Sequence, residues 1–472
     1  MMLERFLGSG AAAGALDDTA FMQAMLDFEG ALAGAQAAVG AIPRAAGEAI
    51  AHACDAARFD ATTIAAEGAR AGSLAMPLVK ALTAEVARTD AQAAMFVHWG
   101  ATSQDVLDTA LVLVSRRVLA LVDDDVGALV ETLIDLARVQ QGVPVLGRTL
   151  MQPAQVVSLD FKLAGWIAPL VRGRARLREA GARALQLQLG GAVGTGAALG
   201  EHADAIAFAM AQALQLRLPD AAWHTQRDEM ATLAGALGVL VGSLGKIAQD
   251  IALMAQGEVG ELVEGASGGS STMPHKRNPV GAMVALAAAH RAPQRVAAIL
   301  GAMPQAHERG LGDWQAELAE FCGLLASAAG AAAAVRRAAE GLQVDAARMR
   351  RNIDALQGLV FAEALSMRLA STIGKAAAHH RVEAWSRRAV EQGRHLRDVA
   401  SSAIVDDEAL RDRIPASDVV ALFDAEAAAQ HASRLARLRL KDLARQSALQ
   451  EDSAPWAAWL PGDDGDDIEE DA

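Results

Sequence analysis

Tyrosine is absent from this 472-residue sequence, and aromatic residues together make up only 4% of it. Cysteine occurs twice, at Cys54 and Cys322, far apart and without metal-ligand spacing. A disulfide framework and a cysteine-based zinc site are thereby excluded, which fits a reducing cytosol. Basic charge is in deficit, because 43 Lys and Arg against 57 Asp and Glu leave a net charge of −14. A general nucleic-acid or anionic-membrane binder would repel its partner at long range, so neither partner is expected. The opening residues, MMLERFLGSGAAAGALDD, lack a basic segment followed by a long apolar one, and no secretory signal is expected. Uncharged stretches such as 230–245 fall short of the roughly 20 apolar residues of a membrane span. The expectation is a cytoplasmic protein whose apolar stretches are buried helices.

What remains is helix-forming. Hydrophobic residues reach 52% and charged residues 21%, ample for a core and too ordered a composition for global disorder. Alanine and leucine dominate while β-branched runs are scarce, so local propensity favours helix nearly everywhere. Leu233, Leu237, Leu240, Leu244, Ile247, Ile251 and Met254 alternate spacings of four and three. That is the period of helices packed at shallow angles. The run from Trp314 through Leu318, Phe321, Leu325, Ala328, Ala332, Val335 and Ala339 to Leu342 repeats it, and Val122 to Leu136 gives a shorter version. Helices of this length predict a long bundle. Small residues off the first seam (Gly235, Gly238, Gly242, Gly245) predict burial on a second side, hence self-association.

At roughly 150 residues per domain the length suggests about three domains. Breaks at 97–105, at the Gly-rich loop 189–200 and at 265–279 place an N-terminal helical domain at 1–105 and a central long-helix domain at 106–344. A smaller helical domain follows at 345–450, then an acidic tail at 451–472 predicted to be disordered. Trp456 and Trp459 lie in that tail, and docking on the body is left open for them.

The chemistry concentrates in Gly265-Ala-Ser-Gly-Gly-Ser-Ser-Thr-Met-Pro-His-Lys-Arg-Asn-Pro279. Glycines make the loop mobile and prolines fix its exit. Hydroxyls, an ammonium and an amide suit it to close over an anionic substrate, with Lys276 and Asn278 on carboxylates. His275 reads as a solvated loop residue. Elsewhere no dinucleotide fingerprint, phosphate-cradling loop or HExxH occurs, so no cofactor or metal is expected.

Gly269 to Pro279 resembles the signature loop of the fumarase/aspartase superfamily. His98-Trp-Gly-Ala-Thr-Ser-Gln-Asp105 resembles its first block, Gly147-Arg-Thr-Leu-Met-Gln-Pro-Ala154 its second, and Gly190 to Thr195 a further loop near the site. The blocks fall in family order. The resemblance implies an all-α, three-domain subunit whose central helices build a homotetramer with active sites shared between subunits. It implies that Ser270 exchanges a proton with a carbon beside a carboxylate, with His98 adjacent. Thr102, Ser103, Gln152, Ser271, Lys276 and Asn278 would bind the substrate. For Ser271, satisfaction of the backbone is the competing role; for His98 a purely structural role competes.

Two positions depart from the superfamily pattern. Many members carry His after the residue matching Thr149, and Glu thirteen residues beyond the catalytic serine; here these are Leu150 and Met283. Loss of one partner alone would strand a buried polar group at about 1–3 kcal/mol. Loss of both suggests a site built without that relay. Expelling an amine or hydroxide needs a proton donor. A carboxylate, with an acid pKa of about 4, enters or leaves unaided. The departures therefore point to the 3-carboxy-cis,cis-muconate cycloisomerases of aromatic-compound catabolism, which act on a small tricarboxylate. The segment His307 to Glu317 also resembles theirs. In it Arg309 supplies positive charge to the substrate or else pairs with Glu308 or Asp313. An adenylosuccinate- or argininosuccinate-type lyase is the alternative, and a non-catalytic helical assembly protein the second. Glu258 and Glu261 either orient Lys276, cap the pocket or are simply solvated, and Arg148 is as ambiguous as Arg309.

Overall fold

The computed structural model describes residues 6–265, 268–269, 273 and 275–451. Ser270, Ser271, Trp456, Trp459 and the acidic run of the tail lie outside them. Five helices form the long bundle. These are α2 (Ser103–Val139), α3 (Leu159–Ala184), α4 (Asp228–Met254), α5 (Val280–Gly301) and α6 (Asp313–Glu340). Before them α1 (Asp18–Ala38) packs on α2, and after them α7 (Ala425–Glu451) returns along α3. At 37 residues α2 is about 55 Å long.

The predicted seams are the contact surfaces. Every residue of the Leu233 to Met254 series is buried, as are Trp314, Phe321, Leu325, Ala328, Ala332, Val335 and Ala339 on α6. One continuous apolar core runs from Ala12 to Met349, and a second gathers Leu365 to Val419. Length and apolarity alone would let α4 and α6 cross a membrane, contrary to the sequence estimate. Here 61% and 67% of those apolar windows are buried within the chain, as befits core helices.

The small-residue face of α4 is divided. A Cβ at Gly238 would lie 2.8 Å from Val296, and one at Gly245 would lie 2.4 Å from Ala289, so these glycines set the close approach of α5 within the chain. Gly235 and Gly242 have nothing within 4 Å of a built Cβ. Half of the small-residue face is thus occupied within the chain, and the half at Gly235 and Gly242 is not.

Among the described residues, six short strands interrupt the helices. β1 (Pro144–Thr149) and β2 (Gln152–Ser158) form an antiparallel hairpin with Leu150 and Met151 at its tip, both at positive φ. β3 (Leu262–Val263) pairs with β6 (Gln343–Val344), and β4 (Gly268–Gly269) with β5 (Arg277–Asn278).

Both cysteines are free. Burial, helped by Glu29 and Asp27, pushes the Cys54 thiol up to about 12, and burial pushes Cys322 up to about 11. Only the thiolate alkylates. Iodoacetamide at pH 8 is expected to leave both unmodified in the native protein and to label both once it is unfolded. Rapid native labelling would contradict this burial.

Candidate active site

The segment preceding α2 bends through two left-handed residues, His98 (φ 58°) and Gly100 (φ 81°). A Cβ at Gly100 would meet Leu199 at 2.5 Å, so glycine is needed for the bend and for the approach. Thr102 then caps α2. Its backbone N–H donates to Asp105 Oδ2 at 2.9 Å. Asp105 is fully buried and does more than cap. It also accepts from the N–H groups of Gly190 and Gly191 at 3.1 and 3.0 Å, and it pairs with His224 Nε2 at 2.8 Å. One carboxylate thus fastens the 98–105 block to the Gly-rich loop after α3. A Cβ at Gly190 would lie 2.8 Å from Gly194 Cα, which explains the glycine pair there.

Arg309 joins this group from the loop before α6. It donates through Nη1 to Thr102 Oγ1 at 2.7 Å, through Nη2 to Ser103 Oγ at 3.4 Å, and through Nε to Gln104 Oε1 at 3.1 Å. Pairing with Glu308 or Asp313 is not what the structure has. Gln104 in turn donates to Asp108 Oδ2 at 3.2 Å. Asp108 and Glu317 both bind Arg227, which is fully buried beneath the site. Burial alone would lower the Arg227 pKa, but the two carboxylates outweigh it and hold the guanidinium firmly charged.

His98 turns inward to Glu29 of α1, with Nδ1 2.6 Å from Glu29 Oε1. Burial would lower its pKa. The Glu29 hydrogen bond and charge, with Asp105 at longer range, reverse that and raise it above the ordinary histidine value.

The other predicted site residues form two further groups. Gln152 is exposed at the start of β2, beside Leu150, which is 96% exposed at the hairpin tip. Arg148 on β1 makes a two-pronged pair with Glu261, at 3.0 and 2.7 Å, and Asn352 adds a third bond to Glu261 at 2.9 Å. Glu261 is therefore a buried anchor for the hairpin rather than a partner of Lys276, which corrects the sequence expectation. Glu258 is exposed, and its carbonyl accepts from Arg348. Lys276 is exposed, Asn278 is half-buried in β5, and Met283, 45% exposed, lies in the first turn of α5. Glu264 caps that helix, accepting from the N–H groups of Gly281 and Ala282 at 2.5 and 3.2 Å.

Thr102, Ser103 and Arg309 are thus neighbours, and Asp105 of the same block acts on His98. Among the described residues no hydrogen bond or ion pair joins them to Gln152, Lys276 or Asn278. Sequence reasoning missed Glu29, His224, Arg227 and the roles of Asp105 and Asp108. A signal existed: Glu29 and Asp108 each interrupt a largely apolar helical run.

Residues 10–293 match the family model described as Lyase. The chain belongs to that family. A 3-carboxy-cis,cis-muconate cycloisomerase of Bradyrhizobium diazoefficiens is 48% identical over 426 residues, covering 90% of this chain and 94% of that protein. Another, from Pseudomonas aeruginosa, is 52% identical over 388 residues, covering 81% and 84%. The crystal structure of the 3-carboxy-cis,cis-muconate lactonizing enzyme from Pseudomonas putida superposes with a TM-score of 0.88 at 43% identity, covering 94% of this chain and 99% of that one. The resemblance read from the four sequence blocks and the helical fold it implied are borne out. The hairpin tip and the start of α5 carry Leu150 and Met283, the two positions that depart from the expected superfamily pattern.

Proposed function

We propose that this lyase-family protein converts 3-carboxy-cis,cis-muconate to a carboxymuconolactone. One substrate carboxylate adds across a double bond and closes the lactone ring. A proton passes to the neighbouring carbon, and the intermediate's charge is spread onto another carboxylate. The observation that carries this reading is the double apolar substitution at Leu150 and Met283. Lactonisation forms a C–O bond to a carboxylate at the expense of a C=C π bond, and the entering carboxylate needs no proton from that relay. Close likeness to the cycloisomerases named above supports it.

Within that reaction, Ser270 exchanges the carbon-bound proton. Lys276, Asn278, Gln152, Thr102, Ser103, Ser271 and Arg309 hold the carboxylates, and His98 stands beside them. A homotetramer in which three subunits each supply one group of residues accounts for their separation within a single chain. The exposure of Leu150 and of the Gly235/Gly242 face supports it, because apolar surface of this kind is normally covered by a partner. The remaining parts of the reading are a cytoplasmic location with neither membrane nor nucleic acid as partner, and domains divided near 105 and 344.

Incubation with 3-carboxy-cis,cis-muconate is expected to bleach the diene absorbance as lactone forms. No loss of absorbance, together with fumarate release from adenylosuccinate, would overturn the assignment in favour of an amine-expelling lyase.

A further inference from the structure

The chain lacks the superfamily relay pair, yet it holds a different histidine–carboxylate pair in the first group of site residues. Glu29 lies on α1, in none of the sequence blocks that mark the site. Its side chain is almost wholly buried, and Oε1 approaches His98 Nδ1 at 2.6 Å. Its Oε2 is also buried, with no hydrogen-bond partner among the described residues. Asp105, nearby, satisfies both oxygens with four donors. A carboxylate placed for stability alone would not leave one oxygen desolvated and unbonded, since that costs stability.

The imidazole is held just as deliberately. His98 sits at φ 58°, a conformation that costs a β-carbon-bearing residue energy and that clusters at functional sites. Nδ1 is engaged by Glu29, and Nε2 has no partner among the described residues. The side chain keeps 19% of its surface open, in the block that leads into Thr102 and Ser103.

We propose that Glu29 is a positioning residue for the reaction: it fixes His98 as an imidazolium whose Nε2–H anchors a carboxylate of the substrate. This rests on the cycloisomerase reading for the identity of the substrate but not for the state of the ring. The charged groups that act on His98 are Glu29 from α1 and Asp105 from α2, both negative, and both favour the protonated ring. Arg309, from the loop before α6, is the positive group of the cluster and bonds residues 102–104 rather than His98. The anchor is therefore present below the raised folded pKa of His98 and is lost as pH rises through it.

Glu29→Gln keeps a hydrogen-bonding oxygen and removes the charge. Burial is then opposed only by Asp105 and a neutral hydrogen bond, and the ring becomes neutral at lower pH. NMR titration of the His98 ring, assigned with His98→Gln, is expected to give a midpoint above the ordinary histidine value of about 6.5 in the wild type. In Glu29→Gln the midpoint is expected at or below that value. With carboxymuconate, kcat/KM of Glu29→Gln is expected to fall about tenfold or more at pH 8, mostly through KM, and under about threefold at pH 5.5. Glu29→Asp restores part of the loss.

A loss equal at both pH values would reveal a merely structural Glu29 and overturn the proposal. So would a wild-type His98 titrating at or below the ordinary value, which can be read whether or not Glu29→Gln folds. A wild type inert toward carboxymuconate with His98 titrating high would instead sink the substrate assignment and leave the pair standing.

Discussion

Arg227→Met is expected to destabilise the fold by about 3–5 kcal/mol, read as a lowered denaturant midpoint at unchanged slope. The guanidinium has no exposed surface and makes four bonds to two carboxylates, Asp108 at 3.0 and 3.1 Å and Glu317 at 2.6 and 3.1 Å. It also lies 4.6 Å over the Trp223 ring. Methionine fills much of the volume but leaves two buried carboxylates facing each other unpaired, which is the costly outcome. Trp314 Nε1 and the amides of Gln104 and Gln188 would still donate to Asp108, so the damage concentrates on Glu317. Adding Glu317→Gln to Arg227→Met should therefore recover part of the loss. Arg227→Lys should fall between, because an ammonium cannot reproduce the two-sided fork. A midpoint within 1 kcal/mol of wild type for Arg227→Met would mean the network is solvated and contributes little. The same network reaches the site through Gln104 and Arg309, so KM should rise along with the loss of stability.

Much of this architecture was legible in the sequence, because the physics involved is local or periodic. The Leu233 and Trp314 seams repeat with the period of packed helices, and burial follows that period. The site blocks were legible through their resemblance to family motifs, and the structure shows why glycines stand at 100, 190, 191 and 194, in left-handed turns or close approaches. What stayed hidden is pairing at long range. Glu29 and His98 are 69 residues apart, Asp105 and His224 are 119 apart, and Arg148 and Glu261 are 113 apart. No spacing rule links such positions, since the fold alone brings them together. Glu261 misled for the same reason: as a charged residue continuing a seam it resembles a solvated helix end, and only the arriving Arg148 makes it a core residue. The hairpin at 144–158 is a milder case, as strands of six and seven residues carry little periodic signal against a helical background.

Ser270→Ala is expected to lower kcat on carboxymuconate roughly 10²–10⁴-fold, the usual range for a positioned proton-transfer group, with helical content and oligomer size unchanged. A serine hydroxyl is scarcely ionised near neutral pH. The exchange works only if the surroundings stabilise an alkoxide, and the sequence supplies Lys276 six residues on and a run of loop amides for that. Lys276→Ala should then lower kcat as well as raise KM, whereas a lysine that only bound the substrate would change KM alone. Deuterium settles the assignment more sharply. Lactone formed in D₂O should carry one deuterium at the carbon beside the carboxylate, and residual turnover by Ser270→Ala should show a larger solvent isotope effect as proton delivery becomes limiting. Leu150→His is the matching control: if no relay is needed for a departing or entering carboxylate, a histidine added there should not accelerate lactonisation. Full activity in Ser270→Ala, or a gain of rate in Leu150→His, would show that the proton travels by another route and that the apolar pair is not what selects the reaction.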